Sequence, residues 1–171
     1  GSNDATSLKA YEVDGLRKIG IDPTGGKFKK YYTGDITLVE DFFSADAFKS
    51  VEARKANIVT SIAMFYDLED PIAFARQIEE ILDNNGVWHF EQSYMPSMLR
   101  TNSYDTICHE HLEFYSLNVV KRILTEANLK VIDVQMNAIN GGSFAVTAAK
   151  KGSPLQENHA VIKWLLDQEK A

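Results

Sequence analysis

Apolar and polar positions change their rhythm several times along the chain, and each change marks an element. LRKIGID (16–22) runs apolar into a sharp Asp22-Pro23 stop and predicts a short buried strand. DITLVEDFF (35–43) predicts a second strand. ANIVTSIAMF (56–65), β-branched at its start, is the best candidate for a buried strand. Asp70-Pro71 then offers a capping acid followed by proline at the first helical position. From Ile72 onward Phe74, Ala75, Ile78, Ile81 and Leu82 recur at helical spacing, until DNNG ends the helix. GVWHFEQ (86–92) returns to a strand pattern. Ser116 caps a further helix that carries Val119, Val120, Ile123, Leu124 and Ala127 and stops near Asn128.

Beyond Asn128 the pattern becomes hairpin-like. KVIDVQM (130–136), a turn at NAINGG and SFAVTAAK (143–150) read as two antiparallel strands. A last helix is expected in SPLQENHAVIKWLLDQEKA, with Pro154 near its start and Val161, Ile162, Trp164, Leu165 and Leu166 as its apolar positions. Strands alternating with helices and closing on a hairpin predict an α/β fold, a three-layer sandwich of the Rossmann-like kind. Ligands of such sheets sit outside the carboxyl ends of the strands. That rule singles out four loops: 1–6, 22–26, 63–70 and 91–115.

Composition narrows the function classes. The 171 residues suffice for one domain with a sizeable core, and 44% hydrophobic with 25% charged residues is ordinary for a globular protein. A formal net charge of −6 argues against a nucleic-acid partner, which calls for a basic face. No apolar run approaches the roughly 20 residues of a membrane helix, so no membrane role is expected. The single cysteine, Cys108, forms no internal disulfide and suits a reducing, cytoplasmic setting.

The densest chemistry lies in YDTICHEHLEFYSL (104–117), where His109 and His111 flank Glu110 and Cys108 stands just before them. Three readings compete: a metal site, an acid/base site, or a polar loop without chemistry. Three consecutive residues point in different directions, and structural zinc draws on spaced ligands richer in cysteine, which disfavours metal. Histidine is the natural proton carrier near neutral pH. The chain opens on GSNDATSLKAY, turn chemistry leading into a helix with no strand before it.

These features together resemble the class I methyltransferases that use S-adenosylmethionine. A Gly-Ser-Asn-Asp loop opens a helix, an acid ends the next strand, and an Asp-Phe pair ends the one after. More narrowly, EQSY, YDTICHEHLEFYS and NGGSF resemble the sugar-nucleotide C-methyltransferases, which methylate ring carbons of deoxysugar nucleotides. The resemblance implies a seven-stranded sheet whose last strand is antiparallel. It implies residues 1–150 as the methyltransferase domain, lacking its first strand and the upstream zinc-binding domain. Residues 151–171 would be a helix leading into an absent following domain.

By the same resemblance, Gly1 and Asn3 would lie against the methionine part of S-adenosylmethionine, with Ala5 replacing the usual glycine. Asp22 would accept hydrogen bonds from the ribose hydroxyls, although a cap before Pro23 explains it almost as well. Asp41 and Phe42 would border adenine, and Ala63, Met64 and Phe65 the sulfonium region, although a Met-aromatic pair is more often core. His111 would be the base, oriented by Glu110 and His109. Glu91 and Tyr94, with Cys108, Asn140, Gly141, Gly142 and Ser143, would border the sugar. Two departures stand out: Cys108 replaces a tyrosine, and Ala145 stands where many members carry an arginine. The implied reaction is methyl transfer to a carbon of a keto-deoxysugar nucleotide through an enolate, with that small molecule as partner. Transfer to oxygen, or a non-catalytic partial domain, remain the alternatives.

Overall fold

The computed structural model describes residues 1–170, which form two compact units, Gly1–Lys55 and the segment from Ala56 onward. In the first unit the elements run α1 (Thr6–Lys9), β1 (Lys18–Ile21), a 3-10 helix (Gly25–Tyr31), β2 (Ile36–Val39) and α2 (Ala45–Lys49). β1 and β2 pair in parallel with Ile21 opposite Val39, so both strands deliver their following loops at one edge. Two of these elements escaped the sequence pattern. The 3-10 helix carries a KFKK run that reads as solvated, and α2 is only five residues long. What starts α2 is Ser44, whose hydroxyl accepts the Ala47 N–H at 2.9 Å, while Ala45, Ala47 and Phe48 are buried.

The second unit holds β3 (Ala56–Ile62), α3 (Pro71–Ile81), β4 (Leu82–Ser93), α4 (Met95–Thr101), α5 (Leu117–Glu126), β5 (Leu129–Asn137), β6 (Ser143–Lys150) and α6 (His159–Gln168). Its sheet has the order β3-β4-β6-β5; β3 and β4 are parallel, and β6 runs antiparallel to both neighbours. The predicted hairpin and the helix caps are present. Asp70 accepts the Ala73 N–H at 2.8 Å, and Pro71 opens α3. Phe74, Ala75, Ile78 and Ile81 face inward. The core gathers around Phe65, whose ring lies 5.2–6.1 Å from those of Phe90, Tyr115, Trp88 and Phe74. Such edge and tilted pairs contribute about 0.5–1.5 kcal/mol each beyond their buried area.

Four expectations need correction. β3 is the edge strand of its sheet rather than a buried one: Ile58 and Ile62 are 55% and 45% exposed. Only the side that carries Ser61 turns inward, where its hydroxyl accepts the Trp88 indole N–H at 3.1 Å. DNNG is not a helix end, because α3 stops at Ile81 and β4 starts at Leu82, carrying these residues through an irregular register. Pro154 lies outside α6. The helix waits for Asn158, whose side chain accepts the Val161 N–H and whose own N–H is tied to the Ile132 carbonyl at 2.7 Å. Trp164 of α6 and Val119 of α5 point outward, since burial follows Ile162 with Leu165 and Leu117 with Val120, Ile123 and Leu124.

Candidate functional site

In the first unit the predicted residues gather where β1 and β2 end. Asp22, 6% exposed, closes β1, and its N–H reaches the Val39 carbonyl. Its Oδ2 accepts the Asn3 N–H at 2.8 Å, and its Oδ1 accepts the Thr24 N–H and hydroxyl at 2.8 and 2.7 Å. Burial pushes this carboxyl up, yet the hydrogen bonds from Asn3 and Thr24 outweigh it and hold the group below the ordinary aspartate value. Three of about four acceptor positions on the carboxylate are thus already used within the chain. Asp22 is first of all the anchor of the 1–5 loop. Asn3 and Ala5 sit there at φ 46° and 62°, a left-handed region that non-glycine residues adopt at a cost of about 1–2 kcal/mol. Beyond β2, Asp41 accepts the Phe42 N–H at 2.7 Å through one oxygen, and the Phe42 ring is 76% exposed.

In the second unit the ends of β3 and β4 and the 104–113 loop are tied together. Ala63, strained at φ 52°, donates its N–H to the Glu91 carbonyl. The Tyr66 carbonyl accepts the N–H groups of both Leu112 and Glu113, at 2.9 and 3.1 Å. This fixes the backbone on the C-terminal side of His111. The imidazole itself is half-buried, tilted against the Tyr66 ring with centroids 4.2 Å apart, and its Nδ1 lies 2.6 Å from the Thr106 carbonyl. A carbonyl only accepts, so Nδ1 carries the proton, and in neutral His111 the lone pair sits on Nε2. Asp67 lies in the field of the same imidazole: burial raises its carboxyl, His111 pulls it down, and Glu110 raises it, leaving it above the ordinary value.

This geometry corrects the expected roles of His109 and Glu110. Both are exposed, and Glu110 engages its sequence neighbours, His109 Nε2 at 3.7 Å and the Cys108 thiol at 3.6 Å. The segment turns on itself through His111 N–H to Cys108 C=O, which aims successive side chains apart. Thr106 and Tyr66 orient His111 instead. Among the described residues no three His, Cys, Asp or Glu side chains are gathered as a metal ion would require.

Phe65 is also corrected: its ring, 1% exposed, belongs to the aromatic core rather than to a ligand surface. Met64 and Glu91 are half-buried at the strand ends. Tyr94 is 5% exposed and donates its hydroxyl to Glu169 at 2.8 Å, so its phenol is engaged within the unit. Its N–H reaches the Gly142 carbonyl at 3.0 Å, which brings the Asn140–Gly142 turn to the same end of the sheet. Asn140 and Gly141 are exposed there at positive φ, while Ser143 is buried with its hydroxyl on the Ile139 carbonyl. Sequence reasoning passed over Tyr66, Asp67 and Thr106. Only their positions signalled them, Tyr66 and Asp67 in the flagged 63–70 loop and Thr106 in the flagged 91–115 loop.

Parallel strands that end in such loops, followed by an antiparallel hairpin, define a Rossmann-like methyltransferase fold. Residues 6–134 match the methyltransferase-domain family, and the chain belongs to it. A C-methyltransferase, NovU of Streptomyces niveus, is 25% identical over 170 residues, which cover 98% of this chain. The chain spans about 40% of the length of that relative. A Haloferax volcanii complex of the Trm112 methyltransferase activator with a methyltransferase aligns with a TM-score of 0.69 at 14% identity, over 88% of this chain and 80% of the other. The O-methyltransferase NcsB1 of neocarzinostatin biosynthesis, in complex with S-adenosylmethionine and a hydroxy-methyl naphthoic acid, aligns at 0.63 and 16% identity, over 88% and 47%.

Proposed function

We propose that this chain is the catalytic portion of an S-adenosylmethionine-dependent C-methyltransferase acting on a keto-deoxysugar nucleotide. The observation that carries the reading is the tautomer of His111: with Nδ1–H spent on Thr106, Nε2 is a free proton acceptor beside the strand ends. The similarity to a C-methyltransferase over nearly the whole chain supports the same conclusion.

The residues of the first unit suit the cofactor. An exposed Phe42 ring offers a flat apolar surface for a purine, and the second oxygen of Asp41 can accept from its amino group. The left-handed turn at Asn3 and Ala5 shapes the loop that would receive the amino-acid end, and the remaining acceptor position of Asp22 suits one ribose hydroxyl. When bound, the cofactor supplies an electrophilic methyl group on a positively charged sulfur. His111 Nε2 takes the proton from the carbon beside the substrate ketone, and the released electron pair forms the enolate that makes that carbon nucleophilic. The imidazolium so formed keeps its Nδ1–H on Thr106 and its place beside the Tyr66 ring. Asp67 adds a neighbouring acid. The Asn140–Gly142 turn borders the acceptor.

A second reading transfers the methyl group to a hydroxyl oxygen with the same nitrogen as base. Cys108, where the resembled family carries tyrosine, favours it. The deciding experiment incubates the protein with methyl-labelled cofactor and a panel of keto-deoxysugar nucleotides, and locates the label by NMR. A carbon-bound methyl group is expected. His111→Ala should lower turnover by about 10²–10⁴-fold, as for loss of a general base, while S-adenosylhomocysteine affinity stays within a few-fold. Turnover unaltered by that substitution would remove the base assignment, and an oxygen-bound label would select the second reading.

A further inference from the structure

The strained loop at the start of the chain is clamped by a residue that no motif marks. The Tyr32 hydroxyl donates to the Asn3 carbonyl at 2.8 Å. A carbonyl cannot donate, so the contact of the Tyr32 oxygen with Ser2 Oγ at 2.7 Å is a bond that Ser2 donates. The same Asn3 residue gives its N–H to Asp22 on the other side. Both polar groups of one left-handed residue are therefore held, one by a carboxylate and one by a phenol 29 residues away. Burial keeps the phenol protonated: it raises Tyr32, the Ser2 bond opposes the rise, and the Asp22 and Asp4 charges add to it. Gly20 makes room for this arrangement. A Cβ there would lie 2.5 Å from Ser2 Oγ and 2.8 Å from Tyr32 Cε1, so both side chains rest directly on the β1 backbone. Without the clamp, Asn3 and Ala5 have a lower-energy alternative in ordinary backbone regions.

We propose that Tyr32 is a positioning residue: its hydroxyl holds the Gly1–Ala5 loop in the left-handed form that receives the amino-acid end of the cofactor. The inference rests on the cofactor reading above and names a residue that this reading does not include. Tyr32 touches the loop rather than the ligand, so it acts on affinity and not on the chemical step.

The test compares Tyr32→Phe with the unaltered chain, because phenylalanine keeps the ring on Gly20 and removes only the hydroxyl. Two ligands are titrated by calorimetry: S-adenosylhomocysteine, and 5′-methylthioadenosine, which has the nucleoside but no amino-acid end. Loss of the hydroxyl, with its bonds to Asn3 and Ser2, should weaken the first by about five- to tenfold and leave the second within twofold. Turnover at saturating cofactor should be unchanged. Equal weakening of both ligands would show a general structural role and overturn the inference, as would no weakening of either. An unaltered chain that binds neither ligand would remove the cofactor reading itself, and the inference with it.

Discussion

Glu169 ties three parts of the second unit together, and its replacement offers a measurable stability loss. Its carboxylate stands one residue past α6 and accepts the Leu117 and Asn118 N–H groups at 2.6 and 2.9 Å and the Tyr94 hydroxyl at 2.8 Å. Two of these donors are the first free amides of α5, where a negative charge also meets the positive end of the helix. Ser116 accepts the next one, from Val119. In Glu169→Ala the buried Leu117 amide and Tyr94 hydroxyl each lose a charge-assisted partner, at about 1–1.5 kcal/mol apiece; exposed Asn118 turns to water for about 0.5 kcal/mol. The expected total is about 3 kcal/mol. Glu169→Gln keeps one acceptor oxygen and loses the charge, so about 1–1.5 kcal/mol is expected. Urea unfolding followed through the fluorescence of fully buried Trp88 reads both values in the unit concerned. A double-mutant cycle with Tyr94→Phe should return a coupling of about 1 kcal/mol. A loss below about 1 kcal/mol in Glu169→Ala, with unchanged hydrogen exchange at Leu117 and Asn118, would refute the argument.

One further test probes each unit. In the first, Glu52 is held down to about 2 by hydrogen bonds from Arg54 and by the Arg17 and Arg54 charges, against an ordinary value of 4.5. A depressed folded value means stability that is present above pH 4.5 and lost as pH falls toward 2. Glu52→Gln should therefore be less stable at neutral pH and should show a flatter acid limb in thermal melts between those values. A limb identical to that of the unaltered chain would count against the ion pairs. In the second unit, Gly142→Ala places a Cβ 2.7 Å from the Ser97 Cβ at φ 126°, and should cost about 2–4 kcal/mol in urea unfolding. Ser97→Gly should rescue only the steric part, and full rescue would show that backbone strain is negligible there.

How much of this was legible in the residues differs between elements for physical reasons. The starts of α3 and α5 were readable because Asp70-Pro71 and Ser116 are local devices, spaced along the sequence as they act in space. The β5–β6 hairpin was readable for the same reason. β3 was misjudged because β-branched composition reports the tendency to extend, while burial depends on how many neighbours a strand has, and β3 sits at a sheet edge. α2 and the 3-10 helix are too short for a periodic signal. The long-range clamps had no local signature at all: Glu169 reaches a helix start 52 residues away and Tyr32 a loop 29 residues away.

The His-Glu-His string shows why residue types read correctly can still be given the wrong partners. Adjacency in sequence suggested that Glu110 would orient His111, since a carboxylate beside an imidazole is a familiar pairing. Consecutive residues in a tight turn, however, seldom share a direction, and a half-buried ring is steered by whatever fills the space behind it. Here that space holds the Thr106 carbonyl, five residues back, and the Tyr66 ring, from the turn after β3. The backbone logic is equally non-local, because Leu112 and Glu113 both bind the Tyr66 carbonyl and so carry His111 to the end of a strand more than 40 residues earlier in the chain. The carbonyl partner also has a chemical consequence. It can only accept, so it fixes the tautomer with the proton on Nδ1 and, in the neutral ring, the lone pair on Nε2.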